Sequence, residues 1–172
     1  MTKLIRFYII IFFLISSKTL VAADMSGYLL NQAIKEFNNK NYEVAYKSLS
    51  NIAPAGNPVA TYLLAQMYLK GLGIEINNKN AYEMILYSAE RLYSHDKALA
   101  LESQITLSNM YKEGIGTTVS NEKAYMWAFI ARKTNEEMHL NYLKELQNQL
   151  TPEEINDFEK KGLKIFKNSI KK

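Results

Sequence analysis

The sequence predicts an all-α chain of antiparallel helix pairs, stacked side by side as a solenoid. Three observations carry that reading. The stretch MYLKGLG, Met67 to Gly73, returns as MYKEGIG, Met110 to Gly116, so four of the seven glycines sit in two copies of one turn. An Ala-Tyr pair recurs as Ala45-Tyr46, Ala81-Tyr82 and Ala124-Tyr125. No stretch alternates apolar and polar residues convincingly, as a half-buried strand would.

Aligning the glycine turns sets the register. Residues 60–68, ATYLLAQMY, face residues 103–111, SQITLSNMY, at a spacing of 43. The first two Ala-Tyr pairs are 36 residues apart, so seven extra residues lie between the second and third units, around RLYSHDK (Arg91 to Lys97). In the first unit, helices are expected over Ser26 to Asn38 and Tyr42 to Ile52, joined by the tight FNNKNY connection. In the second, Asn57-Pro58 reads as an N-cap followed by proline at the first helical position, where its missing N–H costs nothing. That helix runs to Lys70, and its partner spans about Asn78 to Tyr93, with Ala81, Met84, Ile85 and Leu92 near helical spacing. The third unit repeats the pattern over Leu99 to Lys112 and Glu122 to Lys133.

The last element is marked by Thr151-Pro152-Glu153-Glu154, a capping box with proline at its first turn. Ile155, Phe158, Gly162, Leu163 and Phe166 follow at three-to-four spacing and are expected to cover the last repeat's open apolar face. Gly162 weakens that helix by about 1 kcal/mol unless it permits close packing. The layout is therefore one helical-repeat domain over residues 24–172. Its units are 24–56, 57–94 and 98–134, followed by capping helices and a basic tail over 135–172.

Helix pairs of this period cannot bury their apolar faces alone, and stacking gives them one continuous core. Ala45, Ala81 and Ala124 fall where neighbouring helices approach closely. Tyr68, Tyr111, Tyr82 and Tyr125 read as packing residues, because large aromatics at helical spacing usually fill a core. Gly71, Gly73, Gly114 and Gly116 end one helix and turn the chain toward its antiparallel partner, with positive φ at one or both glycines of each pair.

Residues 1–23 read as a secretory leader. Lys3 and Arg6 precede the apolar run FYIIIFFLIS, Phe7 to Ser16, and Val21-Ala22-Ala23 supplies a small-residue site with cleavage expected before Asp24. The run is too short for a membrane span of roughly 20 residues. The leader holds three basic residues and no acidic one, so the net charge of +4 falls to +1 on cleavage. A sequence pI near 9.0 is therefore no argument for nucleic-acid binding. Residues 159–172 carry six lysines and one acid, a solvated helix end that suits the C-terminal dipole. With no cysteine, the chain has no disulfide, thiolate metal site or cysteine nucleophile.

Little in the chain points to catalysis. Neither glycine turn follows a strand or continues to Gly-Lys-Ser/Thr, as a phosphate loop requires. His95 and His139 have no metal-ligand spacing to a third group. Ser94-His95-Asp96-Lys97 and Ser120-Asn121-Glu122-Lys123 match the Ser-x-x-Lys of penicillin-binding enzymes, but the companion motifs are missing. Glu136-Glu137 and Glu153-Glu154 suit helix starts better than paired acid–base work. No cofactor and no metal is expected.

The run Ala60 to Ile74, followed by Asn80-Ala81-Tyr82-Glu83-Met84, resembles a Sel-one-like repeat, a relative of the tetratricopeptide repeats with a glycine-marked turn in each helix pair. The third unit matches too, including Trp127 where the family often has tryptophan and the second unit has Met84. The opening segment, with Phe37, Asn41-Tyr42, Ala45 and Leu49, resembles the tetratricopeptide-like unit that often precedes such repeats. YMWAFIARKTN and LTPEEINDFEKK resemble a common terminus of bacterial members, so the likeness covers residues 28–166. Ala65 and Ser108 replace the family's glycine before Met-Tyr, and Asn77 and Ser120 replace its acidic cap. Some exported members staple each repeat with a disulfide, which this chain cannot.

The resemblance implies a right-handed α/α superhelix whose concave face is lined mainly by the first helix of each pair. It further implies a non-enzymatic scaffold or adaptor, exported, binding a protein or peptide in envelope processes or host contact. On that face Leu63, Gln66 and Lys70, with Thr106, Asn109 and Glu113 at equivalent positions, fall at i, i+3 and i+7 and are the expected partner-binding residues. The alternative is a cell-wall-directed hydrolase or β-lactamase-like enzyme using Ser94 or Ser120.

Overall fold

The computed structural model describes residues 26–135 and 140–171; the expected leader, the 136–139 segment with Glu136, Glu137 and His139, and Lys172 lie outside the described residues. Every regular element among the described residues is helical. The helices are α1 (residues 26–38), α2 (Tyr42–Ile52), α3 (Pro58–Lys70), α4 (Asn78–Ala89), α5 (Lys97–Glu113), α6 (Asn121–Thr134), α7 (Leu140–Gln147) and α8 (Pro152–Ile170). Two short 3-10 turns, Ala53–Ala55 and Leu92–Ser94, follow α2 and α4.

Local chemistry explains the boundaries. Asn57, Asn77, Asp96, Ser120 and Thr151 each accept backbone N–H bonds at a helix start, removing donors that the first turn leaves orphaned. Thr151 and Glu154 complete a reciprocal capping box. In both glycine turns the chain closes in the same way. The amide of Leu72 donates to the Met67 carbonyl and that of Asn77 to Tyr68; Ile115 donates to Met110 and Ser120 to Tyr111. The α1–α2 connection lacks the glycines, and there Lys40 itself takes the left-handed conformation, φ 62°.

Two helix ends differ from the periodicity. Helix α4 stops at Ala89 rather than Tyr93, and α5 begins at Lys97, two residues before the expected start. Leu92 continues the apolar spacing of α4 but sits in the 3-10 turn, where it is completely buried. An apolar residue needs only a buried address, and a tighter turn supplies one as well as a helix does.

Helices pack within pairs, α3 on α4 and α5 on α6, and between pairs, α2 on α3, α4 on α5 and α6 on α7. One core runs through the stack, from Ala33, Ala45 and Leu49 through Met67, Ile85 and Leu107 to Trp127 and Leu146. Ala45, Ala81 and Ala124 are all fully buried in it. Helix α8 packs mainly on α6 and on the Leu92–Ser94 turn. Gly162 makes that contact possible, because a Cβ there would already stand 3.3 Å from Ile130 and Phe129 side chains.

The second glycine of each turn sets the distance between units. All four turn glycines have left-handed φ, between 66° and 71°. A Cβ on Gly73 would lie 2.7 Å from the Tyr42 Cβ, and one on Gly116 would run into the Asn78 carbonyl. These contacts join each turn to the start of the preceding unit's second helix. Gly116→Ala is therefore expected to cost more than about 3 kcal/mol, of which the left-handed backbone alone accounts for about 1–2 kcal/mol. Gly27→Ala, with nothing within 4 Å of the added atom, should be nearly neutral. Urea unfolding of the two variants measures both.

Candidate interaction surfaces

The expected partner-binding residues divide by burial. Lys70, Asn109 and Glu113 are exposed, and Thr106 is half-buried with its hydroxyl donating to the Glu102 carbonyl at 2.8 Å. Leu63 and Gln66 are only 8% and 6% exposed, so both act as packing positions in this structure. Helix α3 is buried at nine of the ten positions from Pro58 to Met67, because it lies between α2, α4 and α5. PVATYLLAQMYLK is apolar almost all round, and that is the sequence signal for burial on every side.

At the third unit α7 reaches across to the end of α5. Tyr142 donates to Asn109 Oδ1 at 2.8 Å and meets the Ser108 hydroxyl at 3.2 Å. Lys112 pairs with Glu145 at 2.9 Å, and that hydrogen bond holds the Lys112 ammonium above the usual lysine range. Asn109 is thus tied to the chain's own capping helix, whereas no such contact brings Lys70 or Glu113 to it.

The repeated tyrosines form a series of clasps across unit boundaries. Tyr46 of α2 meets Tyr68 of α3 hydroxyl to hydroxyl at 3.3 Å, with the rings edge-on at 88°. Tyr82 of α4 meets Tyr111 of α5 at 2.7 Å, with an interplanar angle of 84°. At the end of the stack Tyr125 of α6 donates instead to Glu159 of α8 at 2.7 Å. A fourth inter-unit bond runs from Tyr62 to Glu102 at 2.9 Å. Each phenol is satisfied by the neighbouring unit, as a buried hydroxyl requires.

A cleft of about 510 Å³ opens between α2 and α4, with α3 as its floor. Its walls are Ser50, Ala53, Pro54 and Gly56 on one side and Glu83, Met84 and Tyr87 on the other; Thr61, Leu64 and Tyr68 lie beneath. The Tyr87 hydroxyl donates to the Gly56 carbonyl at 3.0 Å and bridges the two walls. Sequence reasoning did not find this cleft, although its signal was visible in Met84, which stands where the third unit has Trp127.

The serines of the Ser-x-x-Lys matches are differently placed. Ser120 caps α6, accepting from the Lys123 amide at 3.2 Å and donating to Glu122 at 2.7 Å, a bond that holds the Glu122 carboxyl below its usual range. Ser94 is exposed and touches His95 Nδ1 at 3.1 Å, which also lies 3.2 Å from the Arg91 carbonyl. Neither serine lines the cleft. No group of three or more His, Cys, Asp or Glu side chains is placed to hold a metal among the described residues, and no described helix is long and apolar enough to cross a membrane.

The tyrosine clasps have a titration signature. Burial, and then the hydrogen bond to Tyr82, pushes the Tyr111 phenol up; burial followed by the Glu102 and Glu159 bonds does the same for Tyr62 and Tyr125. A raised phenol favours the folded state while it stays protonated. Its contribution is therefore complete below the ordinary value of 10.0 and is lost as pH climbs from there toward the raised folded values. An ultraviolet alkaline titration should show these tyrosines ionising only with loss of helicity.

No family model matches the sequence, and neither does any curated protein. Among solved structures the chain is similar to c5321, a protective antigen present in uropathogenic Escherichia coli strains and displaying an SLR fold, with a TM-score of 0.70 at 18% identity. The match covers 85% of this chain and 31% of that one, so the chain spans about a third of the length of the protein it resembles. The chain has the fold of a Sel-one-like repeat solenoid.

Proposed function

We propose that this chain is an exported, non-enzymatic scaffold that holds a protein or peptide on the face formed by the first helices of its units. The observation that supports this most is the stacking itself. Clasped units put equivalent positions of α3 and α5 on successive first helices, and Lys70 and Glu113 stand exposed at the end of each. A surface of that kind recognises an extended partner by its length and charge pattern, with many small contacts rather than one reactive group. Of the two candidate nucleophiles, Ser120 is occupied as a helix cap. The leader supports export, and the apolar run within it is too short to leave a membrane span behind.

The binding residues of this reading are now Lys70, Thr106, Asn109 and Glu113, with Leu63 and Gln66 supporting them from within the core. Exchanging the charges in the Lys70→Glu, Glu113→Lys variant should remove a captured envelope protein from pull-down eluates. Both positions are exposed, so circular dichroism should be unchanged. Identical capture by the variant and the parent would refute this face as the binding surface.

A further inference from the structure

Helix α8 shows what a Sel-like unit of this chain accepts beside its second helix. Its residues meet α6 in chain order, Glu159 at Tyr125 and then Gly162 among Met126, Phe129 and Ile130. Farther on, Phe166 packs edge-on against Tyr93 of the Leu92–Ser94 turn, with ring centroids 5.2 Å apart. An amphipathic helix thus fills the space between a second helix and the 3-10 turn that precedes it. The covered residues are deeply buried: Met126 is 8% exposed, Trp127 and Ile130 1%, and Leu92 0%.

The cleft between α2 and α4 is the same place one unit earlier. At the spacing of 43, Glu83, Met84 and Tyr87 correspond to Met126, Trp127 and Ile130. At the spacing of 36, Gly56 corresponds to Leu92, and the Ala53–Ala55 turn precedes α3 as the Leu92–Ser94 turn precedes α5. No helix of the described chain lies over this second copy. Glu83 and Gly56 are exposed, and Met84 and Tyr87 are only half-buried. Met84 is smaller than Trp127, whereas Tyr87, larger than Ile130, reaches across to the Gly56 carbonyl at 3.0 Å; about 510 Å³ stays open between the walls. Glu83 is the one charged residue lining it.

We infer that the α2–α4 cleft docks an amphipathic helix of a protein partner, with the chemistry that α8 displays to α6. The contacting face carries a small residue and, four positions on, an aromatic ring, as Gly162 and Phe166 do. Its solvent side is basic, as Lys160, Lys164 and Lys167 make α8, and Glu83 at the rim is the complementary charge. The aromatic ring enters the volume beside Met84, where the third unit has the larger Trp127. This site is walled by the second helices and is lined by neither Lys70 nor Glu113, so the two are tested by different variants.

The probe is a fluorescein-labelled peptide of residues 151–171, titrated into the full chain by anisotropy. Saturable binding is expected, weakened at least tenfold by Met84→Lys, which sets a charge in the half-buried wall against the apolar face of the helix. Glu83→Lys, at an exposed position that leaves folding intact, should weaken binding at least threefold, and Phe166→Ala in the peptide at least tenfold. Absence of saturable binding overturns the inference. So does binding unaffected by both Met84→Lys and Glu83→Lys, the outcome if the peptide merely displaces the chain's own α8. A dimer that forms without peptide and is abolished by Glu83→Lys would also overturn it, assigning the cleft to a second copy of this chain.

Discussion

The tyrosine hydroxyls that meet across each boundary between units are the contacts on which the rest of this stack depends. Tyr46 with Tyr68 and Tyr82 with Tyr111 join the second helix of one unit to the end of the first helix of the next. They do so where Gly73 and Gly116 let the following turn settle onto the start of that same second helix. The two features need each other. A side chain on either glycine would hold the units apart, and the phenols would then lose the partners that make their burial tolerable.

Once units are held at that distance, burial follows along the stack. Ala45, Ala81 and Ala124 permit close approach, and Met67, Ile85, Leu107 and Trp127 fill the space between helices at 0% or 1% exposure. The stack is closed by substituting another acceptor for the next tyrosine. Glu159 of α8 takes the hydroxyl of Tyr125, and Gly162 lets α8 lie close on α6. The seven additional residues between the second and third units have a role in this closure, since Tyr93 within them is the surface on which Phe166 rests. An insertion and a terminal helix, far apart in the chain, are thus two halves of one contact.

Much of the fold was legible in the sequence because local rules and the repeat agreed. Asn57-Pro58, Thr151-Pro152-Glu153-Glu154 and the paired Gly-x-Gly turns each carry a specific backbone requirement, and helix boundaries follow from them. What was not legible is which neighbour each face meets. Spacing at i, i+3 and i+7 places Leu63, Gln66 and Lys70 on one stripe, yet only Lys70 is exposed, because helices on several sides of α3 bury the rest. The hydrogen bond from Tyr142 to Asn109 depends on where α7 lies, and the connection before α7 gives no local rule for that. The cleft beside Met84 is likewise a property of two units together. A substitution from tryptophan to methionine marks it only when the repeats are compared with each other.

A double-mutant cycle across one boundary tests the dependence on the clasps most directly. Tyr82→Phe, Tyr111→Phe and the pair together each remove only hydroxyl oxygen and leave the ring packing at 5.7 Å in place. If the clasp couples the second and third units, the effects on urea unfolding will be non-additive by about 1 kcal/mol. Additivity to within roughly 0.3 kcal/mol would contradict the account and leave the stacking to apolar burial alone.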